Sequence, residues 1–152
     1  MLEKMGEFFD SRIDGYEEHM LTCIESAEEF YPFTADNLPQ TEGALVLDLG
    51  CGYAKLWRNN WNTIPENMCI DCYDLRGSWA DDFENYLAEN KGTLAAGTNI
   101  NLYFEDVEEE STWESIGQKG SYNCIIAHYL LEFIKDRERV FDKVYGALSG
   151  LA

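Results

Sequence analysis

Two glycines one residue apart, held between acids, are the strongest chemical signal in the chain. The stretch runs Leu47-Asp48-Leu49-Gly50-Cys51-Gly52. Paired glycines let the backbone turn sharply and let a ligand lie directly against it. A helix starting after such a turn adds the positive end of its dipole. A second acid, Asp74, follows about 20 residues later, the spacing at which a carboxylate takes the two ribose hydroxyls of a nucleoside. The dinucleotide form of this turn wants a third glycine at position 55, where this chain has Lys55. Asp48, just ahead of the glycines, sits badly beside a phosphate and suits a ligand carrying positive charge, such as a sulfonium with an amino-acid tail. The spacing therefore points to a nucleoside ligand, and the bland alternative is a strand–turn–helix that binds nothing.

Other reactive side chains are less organised. Five cysteines, an odd number, fit free thiols in a reducing compartment. Cys69 and Cys72 have the C-x-x-C spacing, but no second close pair completes a zinc site. The pair falls in a predicted strand rather than at a helix start, so buried apolar packing is the reading taken. The two histidines are His19 and His128. Trp57 and Trp61, after the glycine turn, read as core.

The elements that position these residues alternate. A helix is expected over 5–31, with Phe9, Ile13, Tyr16, Met20 and Ile24 on one face, followed by an irregular connection between Pro32 and Pro39. Strands are expected over 44–47, 68–73, 100–104 and 122–127. Helices are expected over 54–61, 78–89 and 137–148, with a short one around Trp113. On the last helix Val140, Phe141, Val144, Tyr145 and Leu148 are taken as the inner face. Alternation of this kind means right-handed crossovers and a parallel sheet covered on both sides, with ligands at the carboxyl ends of its strands.

With the elements in place, residues 43–152 resemble a class I S-adenosylmethionine-dependent methyltransferase domain. Val46 to Gly52 is similar to that family's glycine-rich first motif. Asp74-Leu75 resembles the second, and Phe104-Glu105-Asp106-Val107 the third. Residues 122–133 resemble the fourth strand and the turn behind the cofactor, and residues 5–20 the N-terminal helix of small bacterial members. The resemblance implies an α/β fold, a three-layer αβα sandwich of Rossmann-like type. Here it would be truncated to about four strands in the order 3-2-1-4, under a helical lid formed by residues 1–40. It implies S-adenosyl-L-methionine as cofactor, bound by Asp48, Gly50, Cys51, Gly52, Asp74, Leu75, Asp106 and Val107. Tyr16, His19 and Met20 would reach the cofactor from the lid. His128 and Tyr129 follow the fourth strand where the methyl group would point. His128 is a candidate base there, or packs beside the cofactor. The activity implied is methyl transfer to a small-molecule acceptor, the alternatives being a non-catalytic cofactor-binding module and a nicotinamide-dinucleotide domain. The chain departs from the family at Tyr53 and Ala54, where a small residue and then glycine are frequent, at Asn123 for a common Asp, and at Arg76 for a small hydroxyl residue.

Composition sets the surroundings. A net charge of −18 on 152 residues argues against binding nucleic acid or anionic lipid. No apolar run approaches the roughly 20 residues of a membrane span, and the acidic start is unlike a signal peptide, so a cytoplasmic location is expected. Residues 111–152 carry equal numbers of acids and bases, so the whole excess of charge lies in the first 110. In a four-stranded sheet the fourth strand is an edge, and self-association through the C-terminal third, as a homodimer, is expected.

Overall fold

The computed structural model describes residue 15 and residues 22–23, 27–75, 77 and 79–149. The elements are α1 (Ala27–Asp36), β1 (Leu45–Leu49), α2 (Lys55–Asn59), β2 (Cys69–Asp74), α3 (Trp79–Asn90), β3 (Asn99–Phe104), α4 (Glu110–Gly117), β4 (Cys124–Ile126) and α5 (Arg137–Ser149). Short 3-10 turns at Trp61–Thr63 and Lys91–Thr93 close α2 and α3.

The four strands form one parallel sheet in the order β3-β2-β1-β4. Leu47 lies between Asp71 and Ile125, and Asp71 faces Asn101 on its other side. Alternation along each strand then sorts the core into two layers. Val46, Ile70 and Cys72 pack with Trp57, Trp61, Trp79 and Phe83 on the face covered by α1, α2 and α3. Leu47, Leu49 and Tyr73 pack with Trp113, Ile116, Val140 and Ala147 on the face covered by α4 and α5. This is the expected three-layer sandwich with the expected strand order.

One charge lies inside the second layer. Asp71 is 2% exposed. Its carboxylate accepts from the Tyr122 hydroxyl and the Asn101 amide, both at 2.9 Å, and pairs with Lys119 at 3.4 Å. Three polar partners, Asn101 on β3 and Lys119 and Tyr122 in the connection between α4 and β4, compensate a charge that would be costly if left alone. Strand β4 is three residues long rather than the six expected over 122–127, and the Tyr122 N–H bonds the Ala147 carbonyl of α5 rather than a strand.

Three further details differ from expectation. Helix α1 continues through Pro32. Proline's fixed φ is helical, so a proline inside a helix removes one N–H and crowds one carbonyl without necessarily ending the helix. The helix expected over 54–61 is split. Ala54 adopts left-handed φ 53, α2 starts after it, and the Asn60 N–H turns back to the Trp57 carbonyl. On α5 the inner face is Val140, Val144 and Ala147. Phe141, Tyr145 and Leu148 point outward at 54%, 71% and 43% exposed. Two apolar stripes run along this helix, and periodicity alone does not say which one meets the sheet. The greater part of the helix expected over 5–31 lies outside the described residues.

Candidate functional site

The glycine turn caps the carboxyl end of β1 and is fastened to its neighbour strand. The Gly50 and Cys51 N–H groups both point at the Tyr73 carbonyl, at 2.8 and 3.4 Å. Gly50 and Gly52 take φ values of +72 and +49, which only glycine adopts without strain. Their surroundings differ. A Cβ on Gly50 would stand 3.0 Å from Leu130 Cβ, whereas a Cβ on Gly52 would meet no atom of the described residues within 4 Å. Among the described residues the turn is thus packed at Gly50 and open at Gly52.

Asp74 is locked onto that open side. Its Oδ2 accepts the Gly52 N–H at 2.6 Å and its Oδ1 accepts the Leu75 N–H at 2.7 Å. Each oxygen retains a second lone pair for a hydroxyl donor. Burial pushes its pKa up to about 6, with the two backbone donors opposing the shift. Leu75 enters the site through this backbone N–H.

Asp48 lies beneath the turn, 3% exposed, and its Oδ2 accepts the Trp57 indole N–H at 2.7 Å. Burial pushes its pKa up to about 7. The indole bond counters that shift, and the nearby charge of Asp74 adds to it. Cys51 stands beside Cys72, and this contact together with burial pushes its thiol pKa up. Cys69 and Cys72 project to opposite faces of β2, as residues three apart on a strand must. Among the described residues no group of three or more His, Cys, Asp or Glu is placed to hold a metal ion.

Asp106 and Val107 stand at the carboxyl end of β3. Asp106 Oδ1 accepts the Glu108 N–H at 2.9 Å, and its carbonyl accepts the Thr112 hydroxyl at 2.7 Å. The Val107 side chain belongs to the second core layer, and its carbonyl accepts the Trp113 indole N–H at 2.8 Å. This loop is held from α5, where Arg139 donates to the Glu108 carbonyl at 2.8 Å.

The segment after β4 closes the other side. Leu130 packs on Gly50, and Tyr129 holds left-handed φ 54. The His128 ring meets the Phe30 ring at 4.5 Å between centroids and the Tyr31 ring at 5.7 Å, and Phe30 also reaches Tyr129 at 5.4 Å. Burial pulls the His128 pKa below its usual value. Helix α1 is therefore tied to the segment beyond β4.

The structure thus brings Asp48, Gly50, Cys51, Gly52, Asp74, Leu75 and the post-β4 segment to the carboxyl side of one sheet, with Asp106 and Val107 at the end of its third strand. Tyr16, His19 and Met20 lie outside the described residues. Sequence reasoning missed the roles of Trp57 as partner of Asp48, of Leu130 as the wall behind Gly50, and of Phe30 and Thr34 around His128. A tryptophan on the helix after the turn is a usable signal for the first, because a buried acid needs a donor. The others depend on contacts about 80 to 98 residues apart in the chain.

No family model and no curated protein sequence matches the chain. Among solved structures it is similar to the crystal structure of an arsenic(III) S-adenosylmethionine methyltransferase from Chlamydomonas reinhardtii. The two are 16% identical, the match covers 78% of this chain and 44% of that one, and the TM-score is 0.56. The chain spans less than half the length of that protein, and at this identity the likeness is one of fold.

Proposed function

We propose that the chain binds S-adenosyl-L-methionine at the 48–52 turn and forms the cofactor-binding part of a methyltransferase acting on a small-molecule acceptor. The observation that carries this reading is the bond from the Gly52 N–H to Asp74 Oδ2. It joins the glycine turn and the ribose-type acid into one preorganised unit, open at Gly52 among the described residues. The similarity in fold to a methyltransferase that uses this cofactor supports it. The cofactor supplies an activated methyl group. The chain's own contribution is to hold the nucleoside at Asp74 and the turn, to place the buried acid Asp48 under a cationic ligand, and to keep water out with the post-β4 segment. Asp106 stands on the side where the adenine would lie.

Titration calorimetry with S-adenosylmethionine, S-adenosylhomocysteine and NAD tests this. The first two are expected to bind and NAD is not. Asp74→Ala removes two charge-assisted hydrogen bonds and is expected to weaken cofactor binding by roughly 2–4 kcal/mol. Unchanged affinity in that variant, or tight NAD binding, would overturn the assignment. A second reading, a binding module without turnover, draws on the outer edge of β4, which has no strand partner among the described residues. In the family that the chain resembles, further strands at that edge and their loops help to build the acceptor side. Turnover of any acceptor by this chain eliminates that reading.

A further inference from the structure

The position of one proton on His128 follows from the hydrogen bonds around Thr34. His128 lies two residues beyond β4, with its ring against Phe30 and Tyr31 of α1. Its Nε2 is 3.2 Å from Thr34 Oγ1. A hydroxyl has one proton to give and two lone pairs to accept with. Thr34 Oγ1 also lies 3.1 Å from the Phe30 carbonyl one turn back, and donates to it. A carbonyl has no proton to return, so that bond uses the hydroxyl's only hydrogen. Toward His128 the oxygen then offers a lone pair, and Nε2 must carry the N–H. The helix dipole points the same way. Thr34 is in the last turn of α1, where carbonyls without helical partners concentrate partial negative charge and favour a donor over an acceptor.

We propose that Thr34 is a positioning residue that fixes His128 as the Nε2–H tautomer, leaving Nδ1 as a bare proton acceptor on the segment that closes over Gly50. The proposal rests on the methyltransferase reading for its chemical use. There, an acceptor bearing an O–H or S–H group attacks the methyl carbon, and the carbon–sulfur electron pair leaves with the sulfur. The acceptor's proton passes to Nδ1. One sulfonium and one neutral imidazole become one neutral thioether and one imidazolium, so atoms and charge balance. The direction of the His128 pKa fits a ring that is neutral, and able to accept, near pH 7.

The chain's two histidines make the test direct. Long-range proton–nitrogen spectra of the full chain report which ring nitrogen is protonated, and His19→Gln assigns the signals. Wild type is expected to show His128 with Nε2 protonated and Nδ1 bare. Thr34→Val, which keeps the size and removes the hydroxyl, is expected to lose that preference, and Thr34→Ser to restore it. A wild-type ring protonated at Nδ1, or an unchanged Nε2–H ring in Thr34→Val, would overturn the proposal. Saturating S-adenosylhomocysteine is expected to shift the Nδ1 signal of His128. Binding that leaves this signal unmoved overturns the base role. Failure of S-adenosylhomocysteine to bind at all, seen by calorimetry, overturns the methyltransferase reading instead, while the tautomer is still decided by the spectra without ligand.

Discussion

Gly50 and Gly52 share a positive φ and a motif, yet their substitution is expected to fail in different ways. At Gly50 an added methyl meets Leu130 Cβ at 3.0 Å in a backbone conformation that already penalises it. Gly50→Ala should therefore cost about 2–4 kcal/mol of stability, from left-handed strain plus overpacking. At Gly52 the added methyl meets no described residue, so Gly52→Ala should cost only the strain, about 1–2 kcal/mol. Its methyl instead fills the ligand's space, and cofactor binding should be lost. Chemical denaturation and calorimetry on the pair separate the two effects, and equal loss of stability would contradict them. Asp48 supplies a second residue-scale test. Its pKa is raised from 3.8 to about 7 by burial. A carboxyl raised on folding contributes stability that is complete below the unfolded pKa and is lost as pH rises through the folded one. Asp48 should thus make the protein less stable between about pH 4 and pH 7, and Asp74, raised to about 6, should act in the same direction. Asp48→Asn keeps an acceptor for the Trp57 indole and removes the buried charge. It is expected to flatten that slope and to stabilise the chain at pH 8 by about 1–3 kcal/mol, with midpoints of urea unfolding as the readout. A cationic ligand should reverse the preference, so S-adenosylmethionine should gain on S-adenosylhomocysteine, which lacks the sulfonium charge, as pH rises through 7.

At the scale of elements, α1 carries an unusual load. It holds Phe30, Tyr31 and Thr34 against His128 and buries Ala35 in the core, yet it contains Pro32. Interior proline costs a helix about 3 kcal/mol, partly offset by the smaller entropy of the unfolded chain. Pro32 is exposed, so Pro32→Ala should stabilise by about 1–2 kcal/mol in thermal melts without moving the aromatic contacts; destabilisation would mean that the ring itself packs. This element also shows where sequence reading stops. Strand order and the end of each strand are legible, because short apolar runs that end in acid or glycine leave few parallel arrangements. The position of Asp74 at a strand end beside the turn is legible for the same reason, whereas its hydrogen bond to Gly52 is not. A proline-rich stretch reads as a break, and only packing along α1 shows that the helix continues. Likewise Ala54 reads as a departure from a glycine position, yet it takes the left-handed φ that favours glycine, because its buried methyl packs in the first core layer. On α5 the two apolar stripes are equivalent in the sequence until the sheet selects Val140, Val144 and Ala147.

For the whole molecule, the stripe that the sheet rejects becomes a surface. Phe141, Tyr145 and Leu148 are exposed along one side of α5, and β4, which also belongs to the C-terminal third, has a free outer edge among the described residues. Single exposed apolar residues are ordinary, but three along one helix face, with an open strand edge in the same third of the chain, are expected to form a contact surface. Charge selects what can reach it. The net −18 resides entirely in residues 1–110, while residues 111–152 are balanced. Two copies therefore repel through most of their surface and can approach through the C-terminal third. Self-association by a two-fold arrangement of α5 and β4 is expected. Three side chains per copy fall short of the roughly 1,600 Å² of a standard stable interface, so the affinity should be weak, in the micromolar range. Salt screens the repulsion between the acidic parts and leaves the apolar contact intact. Sedimentation equilibrium should accordingly show association strengthening from low to moderate salt, and Tyr145→Glu, at an exposed position, should abolish it without lowering thermal stability. A monomer at all salt concentrations up to tens of micromolar protein, with the β4 amides protected from hydrogen exchange, would show that the chain covers this edge itself.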